Sequence, residues 1–336
     1  MKLYTQKLNM GCPAISMSVV LIWLFVTARV GICVSARLMF GFYDNDCPRA
    51  ESLVRSTLAA NVLFDPTAPA AMLRLAFHDC QVKVGGCDAS ILLRSTGRIT
   101  SEMVSDRNFG IRRLDLIDRI KSTLELACPG VVSCADIIAL AARDAVSLTG
   151  GPNIQIPTGR RDGTFASNLA ADALVPPATV NMHDFLQVFN SKGMTVAESV
   201  AMLGAHTLGV GHCVSIINRL YPTRDNTLGF GFGGQLRLTC PTPYPAFINN
   251  NTFMQNDLTN VFFDNQYFRD LMVGRGLFSI DSEVANDPTT SQIVSAFAQN
   301  QNLFFSNFAS AFVKLTASNV LTGDQGEVRR NCAFVN

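Results

Sequence analysis

Two histidine-centred stretches carry the residue types that acid–base and metal chemistry need. In AAMLRLAFHDC, Arg74 and His78 stand four residues apart, so on a helix they project from one face with Phe77 alongside. A cation, a proton acceptor and an apolar wall therefore converge on one spot. In GAHTLGVGHC, His206 follows Gly204 and Ala205, whose small size leaves room for a flat cofactor to approach the imidazole. A third set supplies oxygen: Asp79, Asp88, Ser90 and Glu102 are the carboxylates and hydroxyl that a calcium ion takes. Asp79 lies about 100° round the helix from His78 and points elsewhere. His78 is followed directly by Asp79, and His206 by the hydroxyl of Thr207. A hard cation beside each histidine would lock its helix in place.

Those side chains need rigid elements, and the chain beyond residue 36 shows mainly helical periodicity. Ala50, Leu53, Val54, Leu58 and Val62 recur at helical spacing after Pro48, which suits a first turn. SCADIIALAARDAVSLTGG offers Ser133 as N-cap with Asp136 three residues on, apolar residues on nearly every face, and a stop at Gly150 and Gly151. This predicts a central buried helix. Thr195 and Glu198 form a capping-box pattern ahead of Val200, Ala201 and Leu203, so that helix should end near His206. Asp287 and Pro288 open a segment with Phe297, Phe304, Phe305, Phe308 and Phe312, read as core packing. Segments 150–163, 174–179 and 221–251 read as loops, and Asn250-Asn251-Thr252 in the last is a glycosylation sequon at Asn250. No linker divides the chain, which predicts one unit of two helical lobes with a ligand in the cleft between them.

With 48% hydrophobic and 16% charged residues over 336 positions, the chain is a folded globular protein able to bury a cavity. Residues 1–36 stand apart, with Lys2, Lys7 and Arg29, no acid, and an apolar run from Val19 to Val26 ending near Val34-Ser35-Ala36. That is the pattern of a cleaved secretory signal, and the run is too short for a membrane anchor, which needs about 20 apolar residues. Residues 37–336 are then the mature domain. Its 24 Lys and Arg against 26 Asp and Glu invite neither nucleic acid nor an anionic membrane. Cys12 and Cys33 leave with the signal; Cys47, Cys80, Cys87, Cys128, Cys134, Cys213, Cys240 and Cys332 remain. An even number in a secreted chain implies disulfides, although spacing leaves their pairing open. No CxxC pair suggests zinc.

The segments FYDNDCP, LRLAFHDC, GCDASILL, CPGVVSCADIIALAARDAV, GRRDG, AHTLGVGHC, FFDNQYF, IDSE and LTGDQGEVRRNC resemble, in order, the plant secretory (class III) haem peroxidases. The resemblance covers essentially the whole mature chain. It implies an all-α, two-lobed fold with haem b between distal and proximal lobes, and two calcium ions. It also implies an extracellular monomer of the cell wall or apoplast; no C-terminal extension of the vacuolar kind is present. Such an enzyme reduces hydrogen peroxide at the haem iron and oxidises small phenolic donors in two one-electron steps.

By the same resemblance, His206 is the axial ligand of the iron and Asp281 accepts its other ring proton. His78 acts on peroxide as general base and then general acid, Arg74 stabilises negative charge, and Asn108, six residues after Glu102, keeps His78 basic. Phe77 belongs to the haem pocket, and Pro176 in LVPPAT to the donor site. The implied disulfides are Cys47–Cys128, Cys80–Cys87, Cys134–Cys332 and Cys213–Cys240. The distal calcium would take Asp79, Gly86, Asp88, Ser90, Glu102 and one valine carbonyl. QVKVGG between Cys80 and Cys87 is two residues longer than the family's usual loop, which leaves that valine open between Val82 and Val84. The proximal calcium would take Thr207, Thr259 and Asp264, with the remaining ligand Asp257 or Asn256; the charge of Asp257 favours it. Two rival functions are a non-catalytic secreted binding protein of this fold and a thiol hydrolase using Cys80 beside His78.

Overall fold

The computed structural model describes residues 37–82, 86–244 and 251–336. They are mainly helical: α1 (Ala50–Val62), α2 (Ala68–Asp79), α3 (Leu114–Ala127), α4 (Cys134–Leu148), α5 (Asn168–Leu174), α6 (Met182–Asn190), α7 (Val196–Leu203), α8 (Ile217–Leu220), α9 (Phe230–Thr239), α10 (Gln266–Leu271), α11 (Ser279–Asn286), α12 (Ser291–Gln299) and α13 (Gln301–Ala317). The strands β1 (Val210–His212) and β2 (Phe253–Gln255) pair antiparallel, with Gly211 opposite Met254. The all-α expectation is met.

α4 is the central helix, and every residue from Cys134 to Val146 is buried. Ser133 caps it by accepting the amide of Asp136 at 3.1 Å, but Asp136 does not return the bond as a capping box would. Its carboxylate instead receives Arg160 at 2.7 Å, Tyr43 at 2.6 Å and the amide of Gly159 at 2.7 Å. Asp162 takes over the helix N-terminus by accepting the amides of Cys134 and Ala135 at 3.1 and 2.8 Å, where the positive end of the helix favours a carboxylate. α1 and α3 pack on α4, and α2 packs along it, so the helix that carries Arg74 and His78 is seated on the buried central helix.

A second group of helices holds His206. α7 packs on α13 and on α6, α10 on α12, and α11 on α12. α7 starts with the capping box read from Thr195 and Glu198, and Glu198 also accepts Lys314 at 2.8 Å and Ser310 at 2.6 Å from α13. Phe304, Phe308 and Phe312 of α13 are fully buried, each contributing about 1.5–3 kcal/mol of apolar burial. The two groups share one continuous apolar core.

Three local expectations change. α1 begins at Ala50 with Arg49 as N-cap, so Pro48 lies ahead of the helix rather than in its first turn. Segment 221–251 is not all loop, because Phe230–Thr239 is helical despite its glycines. Phe232 and Leu236 supply the reason: with Leu228, Leu277 and the Cys213–Cys240 bridge they form a small apolar cluster that the helix closes. The phenylalanine-rich segment begins its helix at Ser291, three residues after Pro288, not at the proline itself.

Candidate active site

α2 brings Arg74, Phe77, His78 and Asp79 to its last two turns. His78 is buried, and its Nδ1 lies 2.7 Å from Asn108 Oδ1. Asn108 fixes the roles, since its Nδ2 donates to the Glu102 carbonyl at 2.8 Å and its Oδ1 must therefore accept from His78 Nδ1–H. Nε2 is left as the lone-pair nitrogen, and Arg74 Nε donates to it at 3.2 Å. Burial first, and then the charge of Arg74, push the His78 imidazolium down to about 3, against the opposing bond to Asn108. His78 is thus neutral at any physiological pH, a base and not a resident cation. Arg74 also donates to the Phe109 carbonyl at 2.8 Å and borders open space. Burial on its other sides lowers it only to about 10, so it stays charged. Phe77 packs edge-on to His78, with centroids 5.7 Å apart, and stacks on Phe189. At Gly110, with φ of +81°, an added Cβ would stand 3.0 Å from Arg74 Nη1 and 3.8 Å from His212. Phe109 beside it meets His212 of β1, the strand that follows His206, edge to face with centroids 5.4 Å apart.

His206 sits in the 3-10 turn Gly204–Thr207 that follows α7. Its Nδ1 lies 2.9 Å from Asp281 Oδ1, and its side chain remains 32% exposed. Asp281 stands in the first turn of α11 and accepts the Phe278 amide at 2.7 Å through Oδ2. Burial raises Asp281, yet His206 and these hydrogen bonds outweigh it and hold the carboxyl below its usual range. A ring nitrogen fixed on a buried carboxylate, with the rest of the ring accessible and Phe278 against it at 5.1 Å, suits an iron ligand on a flat apolar cofactor. The room expected at Gly204 is not cofactor space. A Cβ there would meet Phe304 at 2.3 Å and Phe268 at 3.0 Å, so the glycine is required by packing on α13 and α10.

Both sets of oxygen ligands are brought together. On the distal side, Asp79 Oδ1, Asp88 Oδ2, Ser90 Oγ and both oxygens of Glu102 are buried with no hydrogen bond of normal geometry. Burial and mutual repulsion push Asp79 well up, burial raises Asp88, and burial with the Asp88 charge raises Glu102 to about 7. Buried carboxylates that repel one another and lack partners fit a hard cation. Among the described residues no three His, Cys, Asp or Glu side chains close tightly enough to hold a metal by themselves, so a cation here also needs hydroxyl and backbone oxygens, as calcium does. Gly86 is described; Val84 and Asn250 lie outside the described residues. Val82 buries its side chain against Ala171 and Val175. On the proximal side, Thr207 Oγ1 lies 2.6 Å from Asp257 Oδ2 and 3.3 Å from Asp264 Oδ1, which Thr259 Oγ1 also meets at 3.0 Å. Asn256 donates through Nδ2 to the Leu208 carbonyl at 2.9 Å.

The cysteines pair as Cys47–Cys128, Cys80–Cys87, Cys134–Cys332 and Cys213–Cys240, so Cys80 offers no thiolate and the hydrolase reading falls. A family model described as Peroxidase matches residues 53–300. The chain is 48% identical over 301 residues to Peroxidase 29 of Arabidopsis thaliana, covering 88% of each. It is 42% identical over 306 residues to Peroxidase 57 and over 310 residues to Peroxidase 28 of the same plant, covering 90% of this chain and 93% and 94% of theirs. The chain belongs to the plant haem peroxidase family. This peroxidase therefore uses haem iron, and its fold is that of the family.

Two buried residues bonded to Asp281 or to the segment before it escaped the sequence reading. Arg219, buried in α8, donates to the carbonyls of Gly276, Leu277 and Phe278 at 2.6, 2.8 and 2.8 Å, and so fixes the segment that leads to Asp281. Tyr267 donates to Asp281 Oδ1 at 2.9 Å. For Arg219 the only signal was an arginine in an apolar stretch, and Tyr267 stood unremarked within FFDNQYF. Pro176 is half-buried on the loop after α5. That helix packs on the 3-10 turns bearing Glu102 and Asn108, to which Ser105 ties it through Asp172 at 2.5 Å. Two surface hollows of about 320 and 450 Å³ lie elsewhere, and the first is lined by Arg55, Arg143, Glu51 and Asp144, already paired with one another. Among the described residues no helix is long and apolar enough to cross a membrane.

Proposed function

We propose that residues 37–336 act, after cleavage of residues 1–36, as a secreted monomeric peroxidase that oxidises small phenolic donors in two one-electron steps. The observation that carries this reading is the His78 tautomer: Nδ1–H held by Asn108 at 2.7 Å leaves Nε2 as a base beside the cationic Arg74. His206 would hold haem and Phe77 would border it, and the bound group would supply the electrons that reduce peroxide and the oxidising power passed to donors. His78 Nε2 takes the proton of hydrogen peroxide and returns it to the departing oxygen, so one nitrogen serves as base and then acid. Arg74 stabilises the negative charge that develops as the O–O bond polarises. Asp281 keeps the Nδ1 proton of His206 and gives the imidazole anionic character, which favours a highly oxidised metal. Donors approach near Pro176, on the loop beyond the helix that braces Asn108.

Two calcium ions complete the enzyme. The distal ion takes Asp79, Asp88, Ser90, Glu102, Gly86 and a valine carbonyl; the proximal ion takes Thr207, Asp257, Thr259 and Asp264. The orphaned distal oxygens and the gathering of the proximal set support this reading.

Purified secreted protein should show a Soret band and begin at Arg37 or close to it. His78→Ala should keep the band and lose about 10²–10⁴ in the rate of reaction with peroxide followed by stopped flow. His206→Ala should lose the band. Protein with no Soret band under any loading condition would favour the non-catalytic binding protein, and an unchanged peroxide rate in His78→Ala would remove His78 from the chemistry.

A further inference from the structure

We propose that Tyr267 is a positioning residue that limits how strongly Asp281 draws on the Nδ1 proton of His206, and so sets the potential of the iron. This rests on the reading of His206 as the haem ligand. Tyr267 is fully buried in α10, and its hydroxyl donates at 2.9 Å to Asp281 Oδ1, the same oxygen that lies 2.9 Å from His206 Nδ1. Asp281 Oδ2 is taken by the Phe278 amide at 2.7 Å and offers no relief. One carboxylate oxygen therefore serves two donors, and charge committed to the phenol is withdrawn from the imidazole. The two rings also meet edge to face, with centroids 5.8 Å apart at 88°, so the phenol is packed beside the ligand and not merely within reach of its partner.

The placement of Tyr267 is tied to the same cluster that holds the His206 turn. Thr207 follows His206, and Asp264 precedes Tyr267 by three residues; the two meet at 3.3 Å. Asp264 Oδ1 also accepts the Gln266 amide at 2.8 Å, at the first residue of α10. The turn and the helix are thereby registered on each other, and the shared oxygen lies where both donors meet it. Without the phenol, Asp281 would give all of Oδ1 to His206.

The test compares wild-type, Tyr267→Phe and Asp281→Asn holoenzymes by resonance Raman of the iron–histidine stretch in the ferrous state and by redox titration. Removing the hydroxyl should raise the stretching frequency and make the Fe(III)/Fe(II) potential more negative; Asp281→Asn should do the opposite. Were Tyr267 only a packing residue, its loss would loosen His206 and shift both readouts in the direction of Asp281→Asn. That result, or no shift, overturns the proposal. Phenylalanine keeps the ring volume, so folding should survive. Should Tyr267→Phe fail to take up haem, 3-fluorotyrosine at position 267, a stronger donor, must shift both readouts toward Asp281→Asn, and any other outcome counts against the idea. His206→Ala separates the two readings: an unchanged iron–histidine band there would sink the ligand assignment itself, whereas its loss with an inert Tyr267→Phe would sink only the role of Tyr267.

Discussion

The distal and proximal oxygen clusters each begin one residue after a histidine, yet they satisfy their polar atoms in different ways. Around Asp79, five buried oxygens stand without a hydrogen bond. Around Thr207, the hydroxyls and carboxylates bond to one another, and the Thr259 amide adds a bond to Asp257 at 2.8 Å. A cluster that holds part of its own geometry tolerates the loss of a cation better than one made of repelling acids. The distal set is also closer to the chemistry. Glu102, whose carboxylate lies in the cluster, gives its carbonyl to Asn108 at 2.8 Å, and Asn108 holds His78 at 2.7 Å. A cation there is two hydrogen bonds from the base, in addition to the direct adjacency of Asp79 and His78.

The largest expected effect follows from that link. Slow chelation should release two calcium ions in sequence, and loss of the distal one should slow the reaction with peroxide about 10²-fold, because a displacement of roughly 1 Å at a catalytic group costs that much. The distal ion should leave first, since QVKVGG would present its carbonyls on a loop two residues longer than the family's usual one. Each doubling of loop length costs only about 0.6 kcal/mol in closure entropy, so weakening and not loss is expected. Metal analysis in parallel with stopped flow checks this. First-ion release at constant rate would break the path from Glu102 to His78.

A second effect is on stability and separates the clusters by pH. With no cation bound, Glu102 is pushed up to about 7 and Asp257 to about 6, and burial and its acidic neighbours raise Asp79 as well. Folded protein then binds these protons more tightly than the unfolded chain does. Stability is fully present below the unfolded carboxylate range near pH 4 and falls as pH rises through 6 and 7. For Glu102 alone, the move from 4.5 to about 7 corresponds to on the order of 3 kcal/mol, or roughly 5–10 °C in Tm. Calcium-loaded enzyme should lack this decline, because its acids are ionised and paired. Differential scanning calorimetry from pH 4.5 to 8, with and without chelator, gives the comparison. Parallel curves would mean that the acids hold no cation.

Much of this arrangement was legible in the chain because it depends on local spacing. The i, i+4 pair of Arg74 and His78, the capping box at Thr195 and the apolar saturation of α4 are each set within a few residues, and the structure realises all three. What depends on distant partners was not legible from spacing. Gly204 could be read as cofactor room until Phe304, a hundred residues on, was found filling it. Asp136 matched a capping box, but Arg160 and Tyr43 compete for its carboxylate and win, since a buried guanidinium must be paired. The helix Phe230–Thr239 was hidden by its glycines, whose local cost is offset by a cluster assembled from four separate segments. Arg219 and Tyr267 reach the Asp281 segment through bonds to residues some sixty and fourteen positions away.

The smallest expected effect sharpens the proximal side, where the sequence left Asp257 and Asn256 as alternatives. Asp257 turns into the cluster, meeting Thr207 at 2.6 Å, whereas Asn256 donates to the Leu208 carbonyl and leaves its own Oδ1 buried without a hydrogen bond. Asp257→Asn should weaken the second calcium by tenfold or more, since the ion loses a charged oxygen at contact distance in a partly buried site. Asn256→Ala should leave that calcium unmoved. Its cost to stability should be under about 1 kcal/mol, because the lost bond to Leu208, worth about that much, is offset by the relief of a buried and unpaired carbonyl. Calcium titration of the two variants beside chemical denaturation decides between them. A weakened second site in Asn256→Ala, with Asp257→Asn unaffected, would exchange the two assignments and place the proximal carboxylate outside the coordination of the ion.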